Sequence, residues 1–201
     1  MQVRCSRKSI SSIVAGLLIL PMFTFSAVAQ QSTVPEPANE KSNPEFSLRG
    51  QRDARTITYD DWQKFCFKTP GTNLVCRTTI SGTWETGQSA VRIDLIERED
   101  EGVARLQLFL PVGLYIQAGA KLTVDQRESF QIPFRWCLSN TCIAGDRADP
   151  VLIREMEAGQ ELELEIVDTN LLSVSTALPL SRFASVRKAA PTRTFVQDVD
   201  E

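Results

Sequence analysis

The chain has 201 residues and no histidine. That absence removes the commonest general base, His-dependent catalytic triads and His-ligated zinc in one stroke. A serine or threonine nucleophile would then need a lysine, a carboxylate or an N-terminal amine as its partner. Lys64, Lys68 and Lys121 do not stand in a Ser-x-x-Lys frame. There is no Cys-x-x-Cys either: Cys66 and Cys76 enclose nine residues, and Cys137 and Cys142 enclose four. The close spacing that depresses thiol pKa in oxidoreductases is missing, and neither spacing fits paired zinc knuckles. No Lys/Arg cluster marks the region expected to fold, so a nucleic-acid or anionic-membrane partner is not expected. No internal repeat is present. The chain is read as non-enzymatic, with no cofactor and no metal.

What is present begins with an export signature. Arg4, Arg7 and Lys8 precede an apolar run from Ile10 to Phe25, and Ala27-Val28-Ala29 has the small-x-small form of a cleavage site. The run is interrupted by Pro21 and is short for a spanning helix, which needs about 20 apolar residues. Residues 1–29 are therefore predicted to be a signal peptide cleaved after Ala29, and any later membrane association would be indirect. Cleavage takes away three basic residues and no acidic one, leaving 19 Lys and Arg against 25 Asp and Glu, a net charge of −6. The remaining chain of about 170 residues is enough for one domain with a real core. Its four cysteines behind an export signal argue for disulfides in an oxidising compartment. Four cysteines allow three pairings. The local pairs Cys66–Cys76 and Cys137–Cys142 are favoured because each brackets a turn-rich loop.

Residues 30–55 carry Pro35, Pro37 and Pro44 among polar residues and show no apolar period, so they are predicted to be a disordered linker. The domain is expected over 56–188. Strands are predicted around Cys66 and from Leu74 to Ile80, joined by a turn at Thr69–Asn73. Val91, Ile93 and Leu95 alternate with polar residues; Leu106, Leu108 and Leu110 do the same, and Glu97–Gly102 reads as the turn between them. Short strands are predicted at Leu114–Ile116 and Leu122–Val124. Phe130, Ile132, Phe134 and Trp136 fall on one side of an extended strand that runs into Cys137. Asp149-Pro150 is an N-cap followed by a first-turn proline, which predicts a helix over Pro150–Ala158 ended by Gly159. Leu162, Leu164 and Ile166 alternate with Glu161, Glu163 and Glu165, Leu172 and Val174 begin a last strand, and Ser181–Arg187 is a final helical turn. Residues 189–201 read as a flexible tail. Half-polar strands with period two belong to antiparallel sheets, so the expected fold class is all-β, an antiparallel sandwich with a short helical insert.

Few residues remain as candidates for function. Glu161, Glu163 and Glu165 would need oxygens from another segment to hold calcium, and solvated outward positions suit them better. Asp60 and Asp61, beside Trp62, are read as turn or edge residues. Trp62, Phe65, Phe130, Phe134 and Trp136 are assigned to the core, because large rings are the main source of burial energy. Trp84 is different: lying between Gly82 and Gly87 in a stretch without alternation, it is the candidate exposed contact residue.

The order and spacing of several segments carry a resemblance. Asp61-Trp62 with Cys66 and Cys76, Leu110-Pro111-Val112-Gly113-Leu114, and Ile132-Pro133-Phe134-x-x-Cys137-x4-Cys142-x-Ala144 together resemble the invasion-associated locus B family of secreted bacterial proteins. The helix Asp149–Gly159 and Leu178-Pro179-Leu180-Ser181-x-Phe183 extend the match, which spans roughly Tyr59 to Val186; Thr141 departs from the glycine often found before the second cysteine. The resemblance implies an immunoglobulin-like β-sandwich in the bacterial envelope, periplasmic or outer-membrane associated, linked in pathogenic members to host-cell entry. It brings no catalytic residue. The expected partner is an unidentified envelope or host-cell protein. The alternative is a periplasmic accessory or chaperone-like protein that binds client strands at a sheet edge. A thiol titration of the exported protein without reductant is expected to find no free thiol; two or more would restore the redox or metal reading.

Overall fold

A computed structural model describes residues 46–99 and 101–196. The expected signal peptide, the linker up to residue 45 and the tail from 197 lie outside the described residues. Thirteen strands run through the described chain: β1 (Gly50–Gln51), β2 (Ile57–Tyr59), β3 (Gln63–Lys68), β4 (Val75–Trp84), β5 (Ser89–Arg98), β6 (Arg105–Leu110), β7 (Ala120–Val124), β8 (Ser129–Ile132), β9 (Phe134–Cys137), β10 (Cys142–Arg147), β11 (Glu161–Val167), β12 (Leu172–Pro179) and β13 (Arg193–Val196). Helix α1 (Pro150–Ala158) lies between β10 and β11, and α2 (Phe183–Lys188) follows β12. One sheet has the order β1-β12-β11-β7-β8; the other runs β13-β3-β4-β5-β6-β10-β9, with β2 also paired to β4. The molecule is the all-β sandwich that the alternation predicts, with a small helical insert.

The period-two stripes are what the sheets bury. Ile93 and Leu95 of β5, Leu108 of β6, Leu122 and Val124 of β7 and Leu162 of β11 are wholly inaccessible. At one end of the sandwich, where β5 finishes and β6 begins, the helices cover the gap: Leu152 and Met156 of α1 and Phe183 of α2 join the same core. Phe183 meets the Trp62 ring edge-on at 4.8 Å, and Trp62 Nε1 donates to the Pro179 carbonyl at 2.8 Å. Arg187 of α2 locks this end by donating to Glu97 at 2.6 Å and to Glu157 of α1 at 2.7 Å. Burial pushes the Glu157 carboxyl up, but the hydrogen bonds and charges of Arg187 and Lys188 together outweigh it and hold the carboxyl below its usual range. Helix α1 starts as predicted, with the Asp149 carboxylate accepting from Val151 N at 2.7 Å. Its end has another cause than a left-handed cap, because Gly159 is extended, with φ −84°. A Cβ there would lie 2.4 Å from Val124 Cγ1, so glycine is required by close approach. Gly82 serves the same purpose on β4, where a Cβ would collide with Ile57 and the Tyr59 ring. Tyr59 then reaches across the layers, and its hydroxyl shares a 2.7 Å hydrogen bond with Thr176 Oγ1 of β12.

Several expectations fail locally, each for a physical reason. Leu114–Ile116 is not a strand: Leu114 makes one isolated bridge to Asp168, and Ile116–Ala118 form a 3-10 turn. Phe130 to Cys137 is not one strand. Pro133 has no N–H to give, and the chain passes there from β8 in one sheet to β9 in the other. Structure also extends beyond both expected limits. Gly50–Gln51, inside the predicted linker, pairs in parallel with Leu172–Ser173. Arg193–Val196, inside the predicted tail, pairs in parallel with Phe65–Lys68. The sandwich is thus antiparallel except where the outlying segments of the chain add edge strands.

The turn between β11 and β12 is held by Asp168, which is buried. Its Oδ1 accepts from Asn170 N at 2.8 Å and Leu172 N at 3.0 Å. The Leu172 bond is the chief reason its carboxyl sits below the usual carboxylate range; burial opposes it, and Asn170 and Arg52 assist. Phe183→Ala is expected to lower the stability by about 3–5 kcal/mol in urea unfolding, the range for emptying a buried aromatic site. An Asp with a lowered native pKa contributes stability that is complete above the unfolded value of about 3.9 and lost as pH falls through the native one. Asp168→Asn should therefore lower the urea midpoint at pH 7 yet flatten its decline below about pH 4; equal acid slopes in the two proteins would exclude this role.

Candidate functional site

Both cysteine pairs are bridged locally. Cys66 and Cys76 face each other on β3 and β4 with Cα atoms 4.0 Å apart, and Cys137 and Cys142 on β9 and β10 with Cα atoms 3.9 Å apart. In the first bridge Cys66 is inaccessible and Cys76 half-buried. The second clamps a surface turn in which Leu138 N donates to Thr141 O at 2.7 Å. Thr141 Oγ1 donates to the Leu110 carbonyl at 3.1 Å, fixing the turn to β6.

This clamped turn carries the most exposed large apolar side chains near a bridge: Trp136 is 53% exposed and Leu138 57%. The expectation that Trp136 joins the core is overturned. Phe130 and Phe134 are half-buried against the core and Ile132 is buried within it. Trp136 pairs instead with Ile143, where the β9–β10 register shifts between Ile143 and Ala144, and its ring stands on the outward side. A shallow cleft of about 210 Å³ lies beside it, lined by Arg105, Gln107, Arg135, Ile143 and Asp146. Arg135 holds the cleft's edge through Asp146 at 2.8 Å and the Gly145 carbonyl at 2.7 Å.

The outward face of the larger sheet continues this character. Arg92 lies over the Phe109 ring at 3.7 Å, Arg77 lies 5.6 Å from the Phe67 ring, and Phe67 stacks on Phe195 at 5.2 Å. Phe65 also belongs to this group, tilted 6.2 Å from Phe195, and not to the inner core assigned to it from the sequence. Between these residues the buried Asp94 accepts from Thr79 Oγ1 at 2.6 Å and faces Arg92 at 3.3 Å and Arg77 at 3.7 Å. Aromatic and arginine side chains are the types enriched in protein interfaces.

Trp84, the predicted exposed contact, ends strand β4 rather than sitting in a loop, and it is half-buried against the core. Arg55 lies 5.9 Å from its ring. The ring lines a cavity of about 430 Å³ at the end of the sandwich opposite the helices. One wall comes from β4, β5 and β6, the other from β11 and β12, with the Pro111–Leu114 turn at the rim. Residues 52–56 pass from β1 in one sheet to β2 in the other and contribute to the cavity's lining. Nothing in the sequence pattern marks this cavity, because its lining residues come from six separate segments.

The acidic candidates are dispersed. Asp61 faces Arg182 at 3.8 Å on the surface, and Glu165 pairs with Lys121 at 2.8 Å. Glu97 belongs to β5 rather than to a hairpin tip, and Arg187 holds it. Ser185 and Lys188 do stand in a Ser-x-x-Lys frame. Ser185 Oγ donates to Arg182 O at 2.9 Å while Lys188 Nζ donates to Glu157 at 3.1 Å, so each is turned to a partner of its own. Among the described residues, no three Cys, Asp or Glu side chains gather as metal ligands, and no helix is long and apolar enough to cross a membrane.

Both bridges and the strands from β3 to β12 sit within a stretch that known proteins share. The chain is similar to two Invasion protein B homologs of Brucella abortus, from strain 2308 and from biovar 1 strain 9-941. Each is 26% identical over 153 residues, covering 76% of this chain and 80% of the relative. In fold it is similar to the crystal structure of invasion associated protein B from Bartonella henselae, with a TM-score of 0.57 and 21% identity, covering 65% of this chain and 90% of that one. The family model described as Invasion associated locus B (IalB) protein matches residues 62–191, and the chain belongs to that family.

Proposed function

We propose that the protein is exported across the inner membrane, loses residues 1–29 after Ala29, and acts in the envelope by contact with another protein rather than by catalysis. Disulfides and family together point to an envelope or extracellular protein. The observation that carries the contact reading is the pairing of Trp136 and Leu138, both more than half exposed, on a turn that a disulfide and the Thr141–Leu110 bond hold rigid. Side chains held in place before binding lose little conformational freedom on binding, and an exposed tryptophan on such a support is a typical anchor. The aromatic and arginine side chains of the larger sheet's outward face extend the same surface. Promotion of host-cell entry is the use to which the relatives' names point. A second reading, capture of a client strand by β-augmentation, is favoured by one feature: β9 is the last strand of its sheet and has one side unpaired by any described strand.

Fractionation and protease accessibility on whole cells should place the processed protein outside the inner membrane; retention of the precursor in the cytosol would end the proposal. A photo-crosslinker at position 136 in the exported protein is expected to give a discrete protein adduct that a crosslinker at Gln160 does not. Leu138→Ser should reduce that adduct several-fold without moving the thermal midpoint, since surface changes usually stay within about 0.5 kcal/mol. Persistence of the adduct in Leu138→Ser together with its loss in Arg135→Pro would favour strand capture over side-chain docking.

A further inference from the structure

The two ends of the sandwich are finished differently. Helices α1 and α2 fill one end with Leu152, Met156 and Phe183. The other end holds the cavity of about 430 Å³, a volume in the range of small-molecule sites. Its walls are apolar, built from Trp84, Val91 and Leu110 on one sheet and Leu164, Ile166 and Val174 on the other. At its edge lies the buried carboxylate of Asp168, 4% exposed. Oδ1 is engaged by the turn it caps, but among the described residues nothing donates a hydrogen bond to Oδ2. Arg52 Nη1 stands 3.3 Å away without hydrogen-bond alignment, on a side chain that is 57% exposed.

A buried acceptor without a donor is a costly arrangement, and burying a charge is costlier still unless it is paired. The cavity's other charges, on Asp53, Arg52 and Arg55, come from the crossing segment that runs from one sheet to the other. Only Asp168 is buried. The crossing segment is pinned at one end by Arg52 N donating to Ser173 O at 2.8 Å and at the other by the pairing of Ile57 with Trp84. Its residues 53–56 form no ladder of their own, so the Arg52 side chain can withdraw without undoing a strand. Val112, 48% exposed on the rim, marks where the cavity meets solvent.

We propose that this cavity binds a small cationic amphiphile, an alkyl or aryl primary ammonium, whose apolar body lies between the two sheets and whose N–H group takes the place of Arg52 at Asp168 Oδ2. The ammonium supplies the missing donor and balances the charge, while the apolar body covers the Trp84 ring. An anionic amphiphile would meet the buried Asp168 carboxylate with like charge, and its head would have to be held by Arg52 and Arg55, which are exposed. A neutral one would satisfy Oδ2 but leave the carboxylate's charge dependent on Arg52.

The test uses the processed protein, residues 30–201, titrated at pH 7 with n-octylammonium, 1-octanol and octanoate, read by tryptophan fluorescence with Trp84→Phe as the control for the reporting ring. Octylammonium is expected to saturate and to bind at least about tenfold more tightly than octanol or octanoate, the scale of one charge-assisted hydrogen bond. Asp168→Asn, which keeps an Oδ1 acceptor for the turn, should erase that preference. Val174→Phe, which narrows the cavity and leaves Asp168 in place, should abolish saturation, with circular dichroism confirming that both variants are folded. Equal binding of octanol or octanoate, octylammonium binding that survives Val174→Phe, or no saturable binding of any of the three would each overturn the proposal.

Discussion

Two apolar faces, each spelled out at every second residue, must be removed from water together. That requirement shapes everything else in the molecule. Neither sheet could stand alone, because the inner positions Ile93, Leu95 and Leu108 on one and Leu122, Leu162 and Leu164 on the other are buried in one core that both sheets and the helices build. The hydrophobic term is non-directional and scales with the area removed, so it selects the layered arrangement without selecting how its ends are sealed. The ends are where this protein becomes particular.

At one end the sealing is done by helices, and the electrostatics there are structural. Arg187 spans a strand and a helix through two carboxylates, Glu97 and Glu157, in partly buried surroundings where such bonds gain strength. At the other end the sheets are joined by the strap from β1 to β2, by the Pro111–Leu114 turn with its bridge from Leu114 to Asp168, and by the Tyr59–Thr176 hydrogen bond. Burial raises the Tyr59 phenol above its ordinary range, and the hydrogen bond with Thr176 opposes that shift. The strap leaves space, and the buried Asp168 carboxylate borders it.

The surfaces divide in the same way. The smaller sheet's outward face carries glutamates on its central strand, Glu161, Glu163 and Glu165 of β11, whereas the larger sheet's outward face sets arginines against aromatic rings. A chain with an overall acidic balance therefore presents one basic, aromatic face. The second disulfide stands at the border of that face. It ties down a turn whose apolar side chains Trp136 and Leu138 are more than half exposed, where the first bridge reinforces the pairing of β3 with β4 around the inaccessible Cys66.

Periodicity and cap chemistry are local, and whatever depended on them alone was legible in the amino-acid order: the β class, the stripes of β5, β6 and β11, the start of α1 at Asp149, and both cysteine pairs. Family membership was legible too, since it rests on the order and spacing of short motifs. What depended on which element lies across from which was not. Trp136 reads as a core residue by alternation and is exposed, because Pro133 moves the chain between sheets and a register shift opposite it turns the ring outward. Trp84 reads as a loop residue and instead borders a cavity assembled from six segments. Gly50–Gln51 and Arg193–Val196 have no pattern of their own and become strands only because a neighbouring edge offers backbone partners. A strand's inward face can be read from its own residues, but its edges, its sealing and its exposed side are properties of neighbours that are distant in sequence.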